Sequence, residues 1–268
     1  MQTAVESRHR RLNPFLFPLD GVVQESIDFL RKHEPPEGYF VGFSGGKDSI
    51  VTLKLCEMAG VKHMAFYSAT GIDPPEVVKF IRREYPEVTF LKPPITFWEG
   101  IRRKSPPLRM QRWCCDVLKK QPAKPAIIQG LIGDPLRNRV MGIRAEESAK
   151  RASRPRKDKY RGTTIYKPIF YWSEWHVWEF IETHDLKYPG LYDEGFGRIG
   201  CVVCPFLTGK SQTAQKRIQM ARDRWPVTFR VFEKVVSEWF VKRWENSDRP
   251  QMQKTPEEYL TAYWRGFE

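Results

Sequence analysis

Short apolar runs alternate along the chain with stretches of helical period. Tyr39-Phe40-Val41-Gly42-Phe43 has the length and composition of a strand. A helix-period segment follows, with Ile50, Leu53, Leu55 and Met58 as its apolar residues and Gly60 as its stop. Met64–Tyr67 reads as a second strand, about Glu76–Tyr85 as a helix, and Val88–Leu91 as a third strand. The run Arg139–Ile143 extends the same series. Strand alternating with helix predicts an α/β fold built on a parallel sheet with crossover helices.

Elsewhere the pattern is helical or irregular. Residues 1–35 read as a helical arm with Ile27, Phe29 and Leu30 as its apolar stripe, ended by Pro35 and Pro36. Lys92–Leu108, rich in proline and basic residues, reads as a loop. Residues 145–163 read as a polar, mobile segment carrying Lys150, Arg151, Arg154, Arg156, Lys157, Lys159 and Arg161. Ser173 is a suitable N-cap for a helix running to about Thr183. Residues 210–245 look helical and basic, with several tryptophans. The expected partition is an N-terminal helical arm (1–36), a nucleotide-binding domain (37–206) and a basic helical C-terminal extension (207–268).

Composition narrows the class. Hydrophobic residues at 41% and aromatics at 13% exclude a disordered chain. No uncharged apolar run approaches the ~18 residues of a membrane span, and the polar, basic start is not a secretory signal. A cytoplasmic protein with no membrane partner is the expectation. Lys and Arg number 45 against 32 Asp and Glu, a net charge of +13 that favours contact with a polyanion.

Ser44-Gly45-Gly46-Lys47-Asp48-Ser49 lies between predicted strand and predicted helix. Two glycines allow a tight turn and close backbone approach to a ligand. Amides at the helix start, with the serine hydroxyls, can hold phosphate oxygens. Lys47 adds a cation, and Asp48 can orient the loop or a magnesium ion. The hexapeptide is not the GxxxxGK[ST] phosphate loop.

The chain has five cysteines, an odd number that argues against a disulfide framework. Cys201-x-x-Cys204 alone fits zinc, a redox dithiol or an iron–sulfur cluster. The adjacent pair Cys114-Cys115 discriminates among these. Neighbouring residues chelate one tetrahedral ion awkwardly, whereas a cubane offers separate iron corners, so a [4Fe–4S] cluster is the leading expectation and zinc the second. Cys56 falls on the apolar face of the first crossover helix and reads as a small buried hydrophobe rather than a sulfur carrier. Trp172, Trp175, Trp225, Trp239 and Trp244 read as core more than as base-stacking surfaces. His176 and His184 show no metal-ligand spacing and read as packing or surface residues.

The hexapeptide resembles the PP-loop of the adenine nucleotide alpha-hydrolase superfamily, which includes ATP pyrophosphatases and the sulfonucleotide (PAPS/APS) reductases. The resemblance covers residues 39–206. Thr70-Gly71-Ile72-Asp73-Pro74-Pro75-Glu76 is similar to the reductases' D-T-G…P-E-T segment, with Ala69 in place of the aspartate. Gly142-Ile143-Arg144-Ala145-Glu146-Glu147-Ser148 resembles their G-I-R-R-E-E-S, and Gly195–Cys204 their cysteine-bearing segment. Pro168–Asp193, with Trp172, Val177, Trp178 and Tyr192, resembles a further family segment. The resemblance implies a Rossmann-like domain that binds ATP with Mg²⁺. Ser44, Gly45, Gly46, Lys47, Asp48 and Ser49 would surround the phosphates, Arg144 would reach over them, and Thr70 and Gly71 would join the nucleotide site. Lys47, Asp48 and Arg144 are the implied catalytic groups. The family's cluster-bearing APS reductases likewise imply Cys114, Cys115, Cys201 and Cys204 as cluster ligands.

Reductases of this family use a cysteine near the C-terminus, and no cysteine follows Cys204 in this sequence. The expectation that results is ATP-dependent, pyrophosphate-releasing sulfur transfer to nucleic acid, as in the ATP-pyrophosphatase components of DNA phosphorothioation systems. DNA is expected over tRNA, with a cysteine desulfurase as sulfur donor. The alternatives are a sulfonucleotide reductase with Cys56 as displaced nucleophile, tRNA thiolation, and a non-catalytic nucleotide-sensing module.

Overall fold

A computed structural model describes residues 18–124, 137–160, 162–244 and 255–266. In chain order the first elements are α1 (Leu19–Lys32), β1 (Tyr39–Phe43), α2 (Lys47–Ala59), β2 (His63–Ser68), α3 (Pro75–Glu84) and β3 (Thr89–Leu91). Next come α4 (Phe97–Arg103), a π-helical turn (Cys115–Lys120), β4 (Asn138–Met141), α5 (Ala149–Ala152), β5 (Lys157–Tyr160) and β6 (Thr163–Tyr166). The last are α6 (Glu174–Thr183), α7 (Gln212–Arg224), α8 (Pro226–Trp244) and α9 (Pro256–Arg265). None of the described helices is long and apolar enough to cross a membrane.

The chain forms two compact units, each assembled from three segments: residues 1–68, 76–91 and 123–199 in the first, and 69–75, 92–122 and 200–268 in the second. The first holds a six-stranded sheet in the order β3-β2-β1-β4-β6-β5. Every neighbouring pair is parallel except β5 with β6. Central β1 is apolar along its length because helices cover both faces of such a sheet, and Val41 and Val140 are fully buried. Helix α2 buries Ile50, Val51, Leu53, Leu55 and Cys56 and packs against α1 and α6. The chain runs from β1 outward to β3 and then returns to β4 on the other side of β1. The carboxyl ends of β1 and β4 therefore flank a topological switch point, where open α/β sheets bind ligands.

Helix α1 bears out the helical part of the arm from residue 19; residues 1–17 lie outside the described residues. Its buried face is Val22, Val23, Ser26, Ile27 and Leu30, with Phe29 at the margin. Helix α6 starts at the expected cap: Ser173 Oγ accepts from the His176 amide at 3.3 Å. Ser173→Ala is expected to lower the stability of the folded chain by about 1 kcal/mol, read as a lower denaturant midpoint.

Two expectations are corrected. Lys92–Leu108 is not all loop, since it contains α4, capped by Thr96, whose hydroxyl accepts from the Glu99 amide at 3.1 Å. Residues 145–163 are not an irregular segment. They form a short turn, α5 and the edge hairpin β5–β6, with Arg161 outside the described residues. The basic side chains there serve structure. Arg156 donates to the carbonyls of Lys167 (3.2 Å) and Pro168 (2.6 Å) while its guanidinium lies 3.9 Å from the Phe29 ring centre. Lys167, 2% exposed, donates to the Pro155 carbonyl at 2.7 Å. Charge density in the sequence signals solvation, but these cations bond backbone carbonyls inside the fold.

The second unit is helical and aromatic. Phe97 of α4 stacks on Trp113 and on Phe232 of α8, with ring centres 5.9 and 6.2 Å apart. Gly100 is required there, because a Cβ would lie 2.1 Å from the Trp113 ring. Tyr263 and Trp264 of α9 close the cluster against Phe232 and Phe229, and the Tyr263 hydroxyl donates to the Pro107 carbonyl at 2.9 Å.

Candidate functional site

In the first unit, Ser44–Ser49 leaves the carboxyl end of β1 and starts α2. Gly45 has φ +71°, a left-handed conformation, and a Cβ there would stand 2.9 Å from Ile81. The serines pin the turn from inside. Ser49 Oγ accepts from the Ser44 amide at 3.1 Å and donates to the Gly46 carbonyl at 2.8 Å. At the start of α2, the Lys47 amide donates to the Tyr192 hydroxyl at 3.0 Å. The Lys47 ammonium, 4% exposed in its residue, pairs with Glu174 at 3.2 Å and donates to the Gly197 carbonyl at 3.3 Å. It also faces the rings of Tyr192 and Trp178, at 5.1 and 5.8 Å. Burial raises the pKa of Tyr192 to about 12, so its hydroxyl keeps its proton.

Beyond the end of β4, Gly142 meets the same turn. A Cβ there would lie 2.5 Å from the Asp48 carbonyl oxygen, a backbone atom that cannot move aside cheaply. Gly142→Ala should therefore cost about 1–3 kcal/mol, measured by denaturant unfolding. A variant as stable as the parent would show that this contact is slack. Two residues on, buried Arg144 donates through Nε to Asp48 Oδ1 at 2.6 Å and through Nη1 to Glu146. Its amide donates to Glu147 Oε2 at 3.1 Å. Arg151 pairs with Glu147 and is affected electrically by Arg198, Asp48 and Arg144. Burial and the neighbouring cations Arg198 and Arg144 together lower its pKa. Lys47, Arg144, Arg151 and Arg198 thus surround the turn, a charge pattern suited to a polyphosphate.

The second unit holds all four clustered cysteines. The amide of Val202 donates to the Ile72 carbonyl at 2.8 Å, which joins the Cys201–Cys204 stretch to residues 69–75. Thr70 and Gly71, expected at the nucleotide, lie in this unit: the Thr70 hydroxyl is 3.7 Å from Cys201 Sγ, and Cys201 Sγ is 3.6 Å from Asp73. Cys114 is buried, and Cys115, Cys201 and Cys204 are half-buried. Cys114 feels the charges of Cys115, Cys201 and Cys204. A hydrogen bond from the Cys114 thiol holds Cys115 toward the thiolate, aided by Lys119, Arg112 and Lys120, while the Cys114 thiol itself is pushed up. Burial raises Cys201 to about 12 against the pull of Lys119. Lys119 is pushed up, chiefly by Cys201. No three His, Cys, Asp or Glu side chains among the described residues converge on one ion position. A cubane asks for four sulfurs around one small cluster rather than on a single ion, each bound to its own iron. Four thiols in one unit, with Lys119, Arg112 and Lys120 favouring the Cys115 thiolate, suit such a group.

A model of the phosphoadenosine phosphosulfate reductase domain matches residues 38–207. The chain belongs to that family. An uncharacterized protein of Methanocaldococcus jannaschii is 31% identical over 226 residues, 80% of this chain and 46% of the relative. The adenosine 5'-phosphosulfate reductase of Allochromatium vinosum is 39% identical over 93 residues, 34% of each chain. That of Staphylococcus haemolyticus is 27% identical over 135 residues, 48% of this chain and 53% of the relative. The chain spans about half or less of the length of these relatives. A phosphoadenylyl-sulfate reductase from Candida auris, solved as a phosphate complex, superposes with a TM-score of 0.51 at 17% identity. That match covers 68% of this chain and 93% of the other. The shared fold is the adenine nucleotide alpha-hydrolase type, with the helical part following it.

Within this PAPS reductase-like chain the structure brings Ser44, Gly45, Gly46, Lys47, Asp48, Ser49 and Arg144 together in one unit, and Thr70, Gly71 and the four cysteines in the other. Cys56 is fully buried and its thiol pushed up by burial, as its helical position implied. Trp172 and Trp225 are core residues, whereas Trp175 is 44% exposed. His176 is fully buried and caps α6, a packing role. Sequence reasoning missed Tyr192, Glu174, Arg151 and Arg198 as parts of the phosphate turn's surroundings. Tyr192 stood in a family-like segment, but nothing local marked the other three.

Proposed function

We propose that this protein is an ATP-dependent, pyrophosphate-releasing sulfurtransferase acting on nucleic acid, with DNA backbone favoured over tRNA. Cys114, Cys115, Cys201 and Cys204 would hold a [4Fe–4S] cluster, which would supply sulfur or electron chemistry when bound. ATP with Mg²⁺ would occupy the phosphate turn: the Gly46–Ser49 backbone and the serine hydroxyls would bind its oxygens, Asp48 would hold the metal, and Arg144 would take up charge as pyrophosphate leaves. An acceptor oxygen attacks the α-phosphorus and pyrophosphate departs. The terminal sulfur of a cysteine desulfurase's persulfide would then displace AMP from the activated acceptor. An external dithiol would reduce the resulting acceptor–S–S–Cys disulfide, leaving the sulfur on the acceptor and returning the desulfurase cysteine.

The observation that carries this reading over a reductase is Cys56. It is the one cysteine outside the clustered four, and its fully buried, proton-holding thiol cannot serve as the nucleophile a displaced-cysteine reductase needs. The charge of the second unit supports a polyanionic acceptor, with 20 Lys and Arg against 11 Asp and Glu in its sequence. The APS reductases among the relatives favour the second reading, sulfonucleotide reduction.

One anaerobic assay separates the two. Protein incubated with ATP, Mg²⁺, a cysteine desulfurase with cysteine, a dithiol reductant and DNA or tRNA should release pyrophosphate and yield thiolated nucleotides on digestion and mass spectrometry. Sulfite made from APS or PAPS with thioredoxin, and no thiolated product, would establish the reductase instead.

A further inference from the structure

Most exposed apolar side chains in the described residues stand alone, but two in the second unit share a basic setting. Met110 is 93% exposed and Phe206 48%. Exposed Arg109 donates to the Phe206 carbonyl at 3.1 Å, and the Arg112 guanidinium lies 4.6 Å from the Phe206 ring centre. Neither arginine pairs with a carboxylate among the described residues, whereas Arg102 pairs with Glu238 and Arg222 with Glu233. The hydrogen bond to the backbone fixes the loop under the ring, and the cation–π contact holds one arginine across it. A solvent-exposed aromatic ring with two guanidiniums beside it that lack carboxylate partners is the combination that takes an unpaired base on the ring and its flanking phosphates on the cations. Along the chain, Phe206 follows Cys204 by two positions and Arg112 precedes Cys114 by two.

We propose that Phe206, Arg109 and Arg112 form a subsite for one unpaired nucleotide of the acceptor strand, Phe206 stacking on the base and the two arginines holding adjacent phosphates. This rests on the nucleic-acid reading given above and names where the strand is gripped. A protein ligand would find the same ring and cations, but the excess of positive charge over the whole unit favours the polyanion.

The test is fluorescence anisotropy of the full chain with a fluorescein-labelled single-stranded DNA about 16 nucleotides long. Phe206→Ala should weaken binding by about 5- to 150-fold at fixed salt, the range for loss of one stacked base. Arg109→Gln with Arg112→Gln should weaken it further and flatten the slope of log affinity against log salt by about 1.4, since about 0.7 is lost per phosphate contact on a single strand. Phe206→Tyr, which keeps a stacking ring, should bind like the parent. The unfolding midpoint of each variant reports whether it is folded, and all three side chains changed are exposed, so unchanged midpoints are expected. A parent chain that binds no DNA would overturn both the subsite and the nucleic-acid reading. A parent that binds while Phe206→Ala and the double variant bind equally well, with the same salt slope, would overturn the subsite alone.

Discussion

Arg144→Ala is expected to destabilise the first unit by about 3 kcal/mol and to lower pyrophosphate release from ATP by about a hundredfold or more. The guanidinium is 5% exposed and bonds Asp48 and Glu146, which are 23% and 40% exposed as side chains. Removing one partner of a buried pair leaves the opposing charges without compensation, here two carboxylates facing one emptied volume. Their partial access to water puts the cost at the low end of that range. The activity loss has a separate origin, because the same cation would meet charge that develops on the leaving phosphates. Arg144→Lys divides the two effects: it restores a positive charge but not the two-pronged geometry, so stability should recover more than turnover. Denaturant midpoints and a coupled pyrophosphate assay read the two quantities. If Arg144→Ala matched the parent in both, neither the ion pair nor the assigned role would stand.

Replacing Cys204 by Ala should empty the second unit of iron. Anaerobically purified parent protein is expected to be brown and to carry about four irons per chain, and the variant to be colourless with less than one. Stability should fall as well, since ligand binding contributes directly to folding where a site draws on distant segments. The residues that would come apart are identifiable: Cys114 and Cys115 at the start of the π-helical turn, and Cys201 joined to Thr70 and Asp73. Chelation of the parent should reproduce the variant's midpoint. A colourless parent holding one zinc would remove the cluster from the proposal, while leaving the phosphate turn and its cations as they are.

Much of the first unit was legible because its signals are local. A five-residue apolar run, two glycines and a helical period are written in neighbouring residues, and β1, the turn and α2 follow from them almost residue for residue. The edge hairpin was not legible. Its sequence is rich in charge, and the partners that make order favourable, the carbonyls of Lys167 and Pro168 and the Phe29 ring, come from elsewhere in the chain. Helix α4 left a weak local sign, Thr96 three positions before Glu99, that the surrounding prolines and basic residues masked. Gly142 stood in a family-like segment, but only the nearness of the Asp48 carbonyl explains why a side chain does not fit.

The sequence by itself determined the alternation of strand and helix, the phosphate-gripping turn, the thiol pairs and the basic balance, because each depends on the chemistry of residues adjacent in the chain. Tertiary structure alone decided that β4 lies beside β1, that Arg144 spends its charge on Asp48 and Glu146, and that residues 69–75 share a unit with all four clustered cysteines. Those outcomes depend on which distant segments can close on one another and bury apolar surface together, and no window of neighbouring residues contains that information.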